Sequence, residues 1–129
     1  MSESSADGKL NGLRILVVED EAAISMLLED MLMDFGCEVV GPAARLGAAL
    51  EMVERETFDM AILDVNLAGD PIYPVAEALA RREVPFVFST GYGGGGIKDP
   101  FRDRPVVQKP FGQQELKRTL LKGLVSPET

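Results

Sequence analysis

Acidic, hydroxyl and basic side chains recur in this sequence directly after short apolar runs. In chain order they are Glu19, Asp20, Asp64, Thr90 and Lys109. Crowded carboxylates repel one another unless a cation lies between them, and Mg²⁺ prefers carboxylate, water and phosphate oxygens as ligands. A carboxylate can also attack phosphorus, and an ammonium and a hydroxyl then suit the phosphoryl oxygens. The residue types therefore indicate phosphoryl transfer to a carboxylate, assisted by Mg²⁺ or Mn²⁺.

The apolar runs before these side chains predict buried strands. Residues 15–18, 60–63 and 86–88 are continuous apolar stretches, which are typical of parallel strands covered on both faces. Apolar residues at helical spacing lie between the runs. This alternation predicts an α/β fold, a flavodoxin-like doubly wound sheet of five parallel strands in the order 2-1-3-4-5. Such sheets bind ligands beyond the carboxyl ends of their strands, where the polar side chains above are expected.

The domain boundaries follow from composition. Residues 1–12 are rich in Ser, Asp and Gly and have no apolar period, so we expect a flexible tail. One domain then spans residues 13–125, with no output domain after it. The second strand should stop at Gly41-Pro42, and the third helix should begin at Pro71 or Pro74.

One connection departs from the regular alternation. Gly91 and the glycines at 93–96 are followed by Pro100 and Pro105, a composition that disfavours a stable helix. We therefore expect the fourth helix to be short or disordered. The last helix should begin near Gly112 or Gln113.

Composition excludes several classes of function. The net charge of −8 disfavours binding to nucleic acid, and no apolar stretch is long enough for a membrane span. The chain has no histidine, so Ser-His catalysis and histidine-ligated zinc are excluded. Its one cysteine, Cys37, fits a buried structural thiol in a cytoplasmic protein. The sequence also lacks a P-loop motif, and Asn66 stands where a haloacid dehalogenase-type phosphatase would carry Asp.

Together, the stretches at 18–21, 63–66, 89–91 and 108–110 resemble the receiver domain of two-component response regulators. The resemblance covers nearly the whole chain after Gly12. It implies that Asp64 is the phosphoacceptor, that Thr90 is the switch hydroxyl and that Lys109 binds the phosphoryl group. It also implies a metal site made by Glu19, Asp20, Asp64 and Asn66, with Glu19 acting through water and Asn66 through its backbone carbonyl.

The same resemblance implies a phosphorelay signalling protein that is not an enzyme beyond its own phosphorylation and dephosphorylation. The donor would be a sensor histidine kinase or a histidine phosphotransfer protein. The output would be protein–protein contact or a phosphate sink. An alternative stays open, in which the chain is an interaction module whose role does not require phosphorylation.

Two differences from most receiver domains indicate which subfamily this chain resembles. Most receivers carry Tyr or Phe three residues before the lysine, whereas this chain has Val106. The stretch from Phe86 to Tyr92 looks like the FATGUY-type receivers, with Ser89 in place of the usual alanine. That likeness implies a stand-alone regulator that works with a kinase of the HWE or a related class.

Overall fold

Strands and helices alternate along the chain from Arg14 to Asp64, and the order is less regular after Asp64. The computed structural model describes residues 5–67, 69–91 and 97–125. The strands are β1 Arg14–Val18, β2 Glu38–Ala43, β3 Met60–Asp64, β4 Asn66–Leu67, β5 Asp70–Pro71, β6 Phe86–Thr90 and β7 Val106–Gln108. The helices are α1 Ser5–Leu10, α2 Ala22–Asp34, α3 Leu46–Arg55, α4 Tyr73–Arg81 and α5 Gln113–Leu124.

Five of these strands form one parallel sheet in the order β2-β1-β3-β6-β7. Counted along the chain, these five strands have the order 2-1-3-4-5, so the predicted α/β flavodoxin-like topology is confirmed. All residues of β3 and β6 are buried, which explains the apolar runs at 60–63 and 86–88. The short antiparallel pair β4–β5 follows β3 directly and was not predicted.

The core has two parts, one on each face of the sheet. Successive residues of a strand point to opposite faces, so Leu16 belongs to one part and Val17 to the other. The first part packs against α3 and α4, and the second against α2 and α5. With both faces covered, the carboxyl ends of the strands are the edge where polar side chains can collect. Within the described ranges, no helix combines the length and apolar character needed to cross a membrane.

Ordered packing begins before Gly12, where the flexible tail was predicted to end. Residues Ser5–Leu10 form α1, and Leu10 is fully buried in the core beside α2 and α5. The buried Cys37 thiol lies 3.3 Å from the Leu10 carbonyl oxygen, to which it donates. A single leucine among polar residues has no period, so the sequence pattern could not reveal this contact.

The predicted end of β2 at Gly41-Pro42 is wrong. The strand continues to Ala43, with an irregularity in its pairing to β1. β2 lies at the edge of the sheet, where a proline costs no central ladder hydrogen bond. The two predicted helix starts are confirmed: Pro74 lies in the first turn of α4, and Gly112 is the residue before α5.

Turns replace a helix in the described part of the connection from β6 to β7, residues 91 and 97–105. The sequence predicted that the helix between the last two strands, the fourth of the predicted helices, would be short or disordered, and these described residues agree with a shortened helix. Phe101 lies within these turns and is buried. Its ring centroid lies 5.6 Å from that of Phe86 and 6.3 Å from that of Tyr73. The glycines at 93–96 and Tyr92 lie outside the described residues.

A prediction about packing concerns Gly123, which lets α5 approach the sheet closely. A Cβ there would lie 2.6 Å from Met60 Cε and 2.7 Å from Val87 Cγ1. Gly123→Ala should therefore lower the free energy of unfolding by about 1–2 kcal/mol, after the gain in helix propensity is included. Gly47 in α3 has nothing near its Cβ position, so Gly47→Ala should raise stability by about 0.5–1 kcal/mol. Urea denaturation of both variants tests the pair, and equal shifts in one direction would contradict the packing argument.

Candidate functional site

The strand ends bring the predicted site residues together at one edge of the sheet. Asp64 is the last residue of β3 and Thr90 the last of β6, while Lys109 follows β7 directly. These residues border an open cleft of about 380 Å³. Its lining comprises Asp20, Glu21, Asp64, Val65, Asn66, Thr90, Gly91 and Lys109.

Three carboxylates form a tight group at this edge of the sheet, which we call the acidic triad. Each of Glu19, Asp20 and Asp64 offers an oxygen, and these oxygens lie within 4.8 Å of one another. Glu19 and Asp64 are almost fully buried, with 2% and 5% of their surfaces exposed, whereas Asp20 is exposed. The triad therefore reaches from the interior of the domain to solvent.

The Lys109 ammonium lies beside the buried members of the triad. Its Nζ is 3.2 Å from Glu19 Oε1 and 3.3 Å from Asp64 Oδ2. Burial alone would disfavour the charged ammonium, but the Glu19 and Asp64 carboxylates outweigh burial and raise the pKa of Lys109. The backbone N–H of Lys109 also donates to the Thr90 carbonyl oxygen at 2.8 Å, and the peptide bond to Pro110 is cis. The lysine is thus held to the end of β6 as well as to the triad.

Asp64 is the most strongly perturbed carboxyl of the site. Its burial, together with the negative charge of Glu19, raises its pKa from 3.8 to about 7. Lys109 opposes the shift, as does the Asn66 backbone N–H, which donates to Asp64 Oδ1 at 3.2 Å. Without a cation in the cleft, Asp64 therefore holds a proton at a pH where an ordinary aspartate is ionised.

These residues fit a hard divalent cation. Glu19 Oε1 is buried and accepts no hydrogen bond, although it lies near the Lys109 ammonium. Among the described residues, the triad's three carboxylates have the Lys109 ammonium as their positive partner, in contact with Glu19 and Asp64, which leaves the group short of positive charge. Oxygen ligands of this kind, open to water on one side, suit Mg²⁺ or Mn²⁺. The role of Asn66 at the rim stays a prediction, since its described contact is made by its backbone N–H.

Sequence reasoning assigned no role to Glu21, although it lies in the same acidic stretch. Its backbone N–H donates to Glu19 Oε2 at 3.1 Å, and its Oε1 lies 3.4 Å from Lys109 Nζ. The run of three acidic residues at 19–21 was a signal that the third also borders the site. Val106, which replaces the usual aromatic residue, is half-buried in β7 and pairs with Phe88.

A stability prediction follows from the raised pKa of Asp64. Between pH 4 and 7 the folded protein keeps the Asp64 proton, while the unfolded chain has lost it. The folded state then binds more protons, so the free energy of unfolding of metal-free protein should fall as the pH rises through this window. Asp64→Asn cannot ionise, so in EDTA it should be more stable than the parent at pH 8 and nearly equal to it at pH 4. Thermal melts at both pH values check this.

Added Mg²⁺ provides the control for that prediction. A ligand that binds only the folded state stabilises it, so Mg²⁺ should raise the melting temperature of the parent at pH 8. The Asp64→Asn variant lacks one carboxylate of the triad and should gain less. If Asp64→Asn were less stable than the parent in EDTA at pH 8, the inferred repulsion between the Asp64 and Glu19 charges would be wrong.

Comparison with known proteins gives consistent matches. A family model described as the response regulator receiver domain matches residues 15–121. The solution structure of SdrG from Sphingomonas melonis Fr1 is 47% identical, covers 88% of this chain and 98% of its own, and has a TM-score of 0.81. PdtaR, a transcriptional regulatory protein of Mycobacterium tuberculosis, is 34% identical over 80% of this chain. The chain spans about half of PdtaR, 52% of its length.

A third match includes a metal ion. The receiver domain of the sensor histidine kinase PA1611 from Pseudomonas aeruginosa PAO1 was solved with magnesium coordinated in its active-site cleft. It is 25% identical, with a TM-score of 0.73, and covers 89% of this chain and 99% of its own.

Proposed function

This chain belongs to the response regulator receiver domain family, and on that premise we propose that it accepts a phosphoryl group on Asp64 from a partner's phosphohistidine. The donor must lie on a partner, because the chain contains no histidine. The phosphorylated chain then signals by protein–protein contact or acts as a phosphate sink. We place this activity in the cytoplasm, as a phosphorelay step without DNA or membrane binding.

One observation carries the proposal. The Lys109 ammonium lies 3.3 Å from Asp64 Oδ2. Lys109, Asp64 and Asp20 line one cleft, and Glu19 completes the acidic triad beside them. A nucleophilic carboxylate is thus placed beside a positive charge and next to a group suited to a divalent cation. Positioning and charge stabilisation of this kind are what phosphoryl transfer requires from a protein.

The proposed step has a simple balance of bonds. An Asp64 carboxylate oxygen attacks phosphorus, the bond from phosphorus to the partner's imidazole nitrogen breaks, and the imidazole leaves with that electron pair. Water later cleaves the resulting acyl phosphate and restores the carboxylate. Lys109 pairs with the phosphoryl oxygens, and the Thr90 hydroxyl donates to them when the site is occupied.

The acidic triad and Asn66 are the residues that we propose for holding Mg²⁺ or Mn²⁺. When bound, the cation neutralises charge on the phosphoryl oxygens. The chain's own part is to keep Glu19 buried and Asp20 exposed, so that the site has a fixed inner side and an outer side open to water. The magnesium-containing receiver of PA1611 supports this assignment.

The identity of the partner is proposed from sequence. The stretch from Phe86 to Tyr92 resembles the FATGUY-type pattern, with Ser89 in place of the usual alanine, and its part Phe86–Thr90 forms β6, which ends at the cleft. We therefore propose a stand-alone receiver that works with a histidine kinase of the HWE or a related class, directly or through a histidine phosphotransfer protein. The similarity to the SdrG solution structure, of which 98% is covered, supports the stand-alone part of this proposal.

The test is phosphorylation of the purified chain. Acetyl phosphate or a phosphorylated HWE-class kinase should add one phosphoryl mass in Mg²⁺ and none in EDTA, as measured by intact mass spectrometry. If neither these donors nor other kinases label the chain, the proposal is wrong. Regulation of a partner by the unlabelled chain would then favour the alternative, an interaction module independent of phosphorylation.

A further inference from the structure

Lys109 contacts one carboxylate that is not part of the acidic triad. Its Nζ lies 3.4 Å from Glu21 Oε1, in addition to its contacts with Glu19 and Asp64. Lys109 and Glu21 border the same cleft. The ammonium is therefore shared between two buried carboxylates and one at the rim.

The two kinds of partner differ in their freedom to move. The side chains of Glu19 and Asp64 are 1% and 7% exposed, while that of Glu21 is 62% exposed. Buried side chains are held by their surroundings, whereas an exposed glutamate changes rotamer at little cost. The backbone of Glu21 is nevertheless fixed near the site, because its N–H donates to Glu19 Oε2 at 3.1 Å.

The present position of Lys109 conflicts with a divalent cation in the acidic triad. The ammonium lies against Glu19 Oε1 and Asp64 Oδ2, and both residues also supply oxygens to the triad. Two cations held by the carboxylates of the same two residues repel each other in a partly buried site. We therefore expect Lys109 to shift outward when the triad is loaded, toward the cleft that its 14% exposed side chain already borders.

We propose that Glu21 is a positioning residue that holds the Lys109 ammonium at the rim of the cleft when the acidic triad contains Mg²⁺. Glu21 provides a negative partner within reach of Nζ, and it does not use an oxygen of the triad. The lysine then stays close to the position where a phosphoryl group would arrive, while the buried carboxylates are free for the metal. The inference deepens the proposed function and rests on it, since Asp64 and Lys109 are taken as parts of the phosphoryl site.

The argument makes Glu21 act through Lys109 and not directly on the metal. A carboxylate that is 62% exposed is screened by water and salt, so its direct field at the metal is weak. Its contact with the ammonium, in comparison, decides where a full positive charge rests. Removal of the Glu21 charge should therefore weaken Mg²⁺ binding only when Lys109 is present.

A double-mutant cycle on Mg²⁺ affinity tests this dependence. Isothermal titration of Mg²⁺ is carried out on the parent, Glu21→Gln, Lys109→Ala and the double variant, at one pH and ionic strength. Lys109→Met provides a second lysine-free background of similar side-chain length, in case the alanine variant does not fold. Glu51→Gln, at an exposed position in α3, is the control for loss of one negative charge.

We expect Glu21→Gln to raise the Kd for Mg²⁺ about threefold to tenfold in the parent and less than twofold in either lysine-free background, a coupling within the usual range for contacting residues. Glu51→Gln should change the Kd by less than twofold in all of them. An equal effect of Glu21→Gln with and without the lysine would overturn the proposal, and so would no effect in the parent.

This readout separates the inference from the proposed function, because it needs no phosphorylation. If the coupling is found and the parent still takes up no phosphoryl group, the proposed function fails while the placement of Lys109 by Glu21 stands. If the parent is labelled and the coupling is absent, only the inference fails.

Discussion

The Asp64→Asn variant is expected to take up no phosphoryl group under conditions that label the parent chain fully. Asp64 lies at the end of β3 with Oδ2 3.3 Å from Lys109 Nζ, and the uncharged amide that replaces it is a poor nucleophile. Intact mass spectrometry after treatment with acetyl phosphate and Mg²⁺ measures the effect. We expect complete loss of the added mass, because Asp20 and Glu19 are the proposed metal ligands and Lys109 faces position 64.

A matched control separates loss of the nucleophile from loss of charge or of the fold. Asp30 is an exposed carboxylate in α2, and Asp30→Asn should be labelled like the parent. The Asp64→Asn variant should also melt cooperatively, as the prediction of its stability in EDTA requires. Labelling of Asp64→Asn at the parental rate would remove Asp64 from its proposed role.

The second large effect is expected at Lys109. Lys109→Ala should slow phosphorylation by about 10²–10³-fold, which is the usual cost of removing one positioned group that stabilises developing charge. The structure supports a cost of this size because the ammonium is the positive partner of both buried carboxylates of the cleft. Initial labelling rates at saturating Mg²⁺ measure the change.

Thr90→Ala is the comparison for that experiment. Thr90 is 4% exposed at the end of β6, and its carbonyl oxygen accepts the Lys109 backbone N–H. Since the substitution leaves this backbone bond in place, labelling should slow only severalfold, while the structural response to phosphorylation is reduced. Hydrogen exchange over residues 97–105 reports that response. Thr90→Ser, which keeps the hydroxyl, should restore the structural response. If Thr90→Ala and Lys109→Ala showed identical labelling rates and identical exchange, this division of roles would be contradicted.

Much of the architecture could be predicted because it depends on local patterns. Buried parallel strands show as apolar runs such as 60–63, and a helix that ends near a glycine shows at Gly36, whose φ is 85°. Once the strand order is known, the strand ends must share one edge of the sheet. The meeting of Asp20, Asp64 and Lys109 at that edge was therefore predictable from order and spacing alone.

The errors arose where a residue's environment depends on distant parts of the chain. Leu10 is buried because α2 and α5 provide a cavity for it, and the polar residues around it gave no sign of this. Pro42 is tolerated in β2 because that strand is at the edge, a property of the whole sheet. Phe101, in the turns of residues 97–105, is buried by packing on Phe86, fifteen residues earlier in the chain.

Residue types and their spacing determined the fold class, the strand order and the meeting of Asp20, Asp64, Thr90 and Lys109 at one cleft, because each depends on periodicity or on position at a strand end. Only the tertiary structure decided that Asp64 has a pKa of about 7 and that Lys109 is shared with Glu21, 88 residues away. Those properties depend on burial and on distances of a few ångström between side chains from different strands. Electrostatic energy changes steeply over such distances, and no local sequence pattern specifies them.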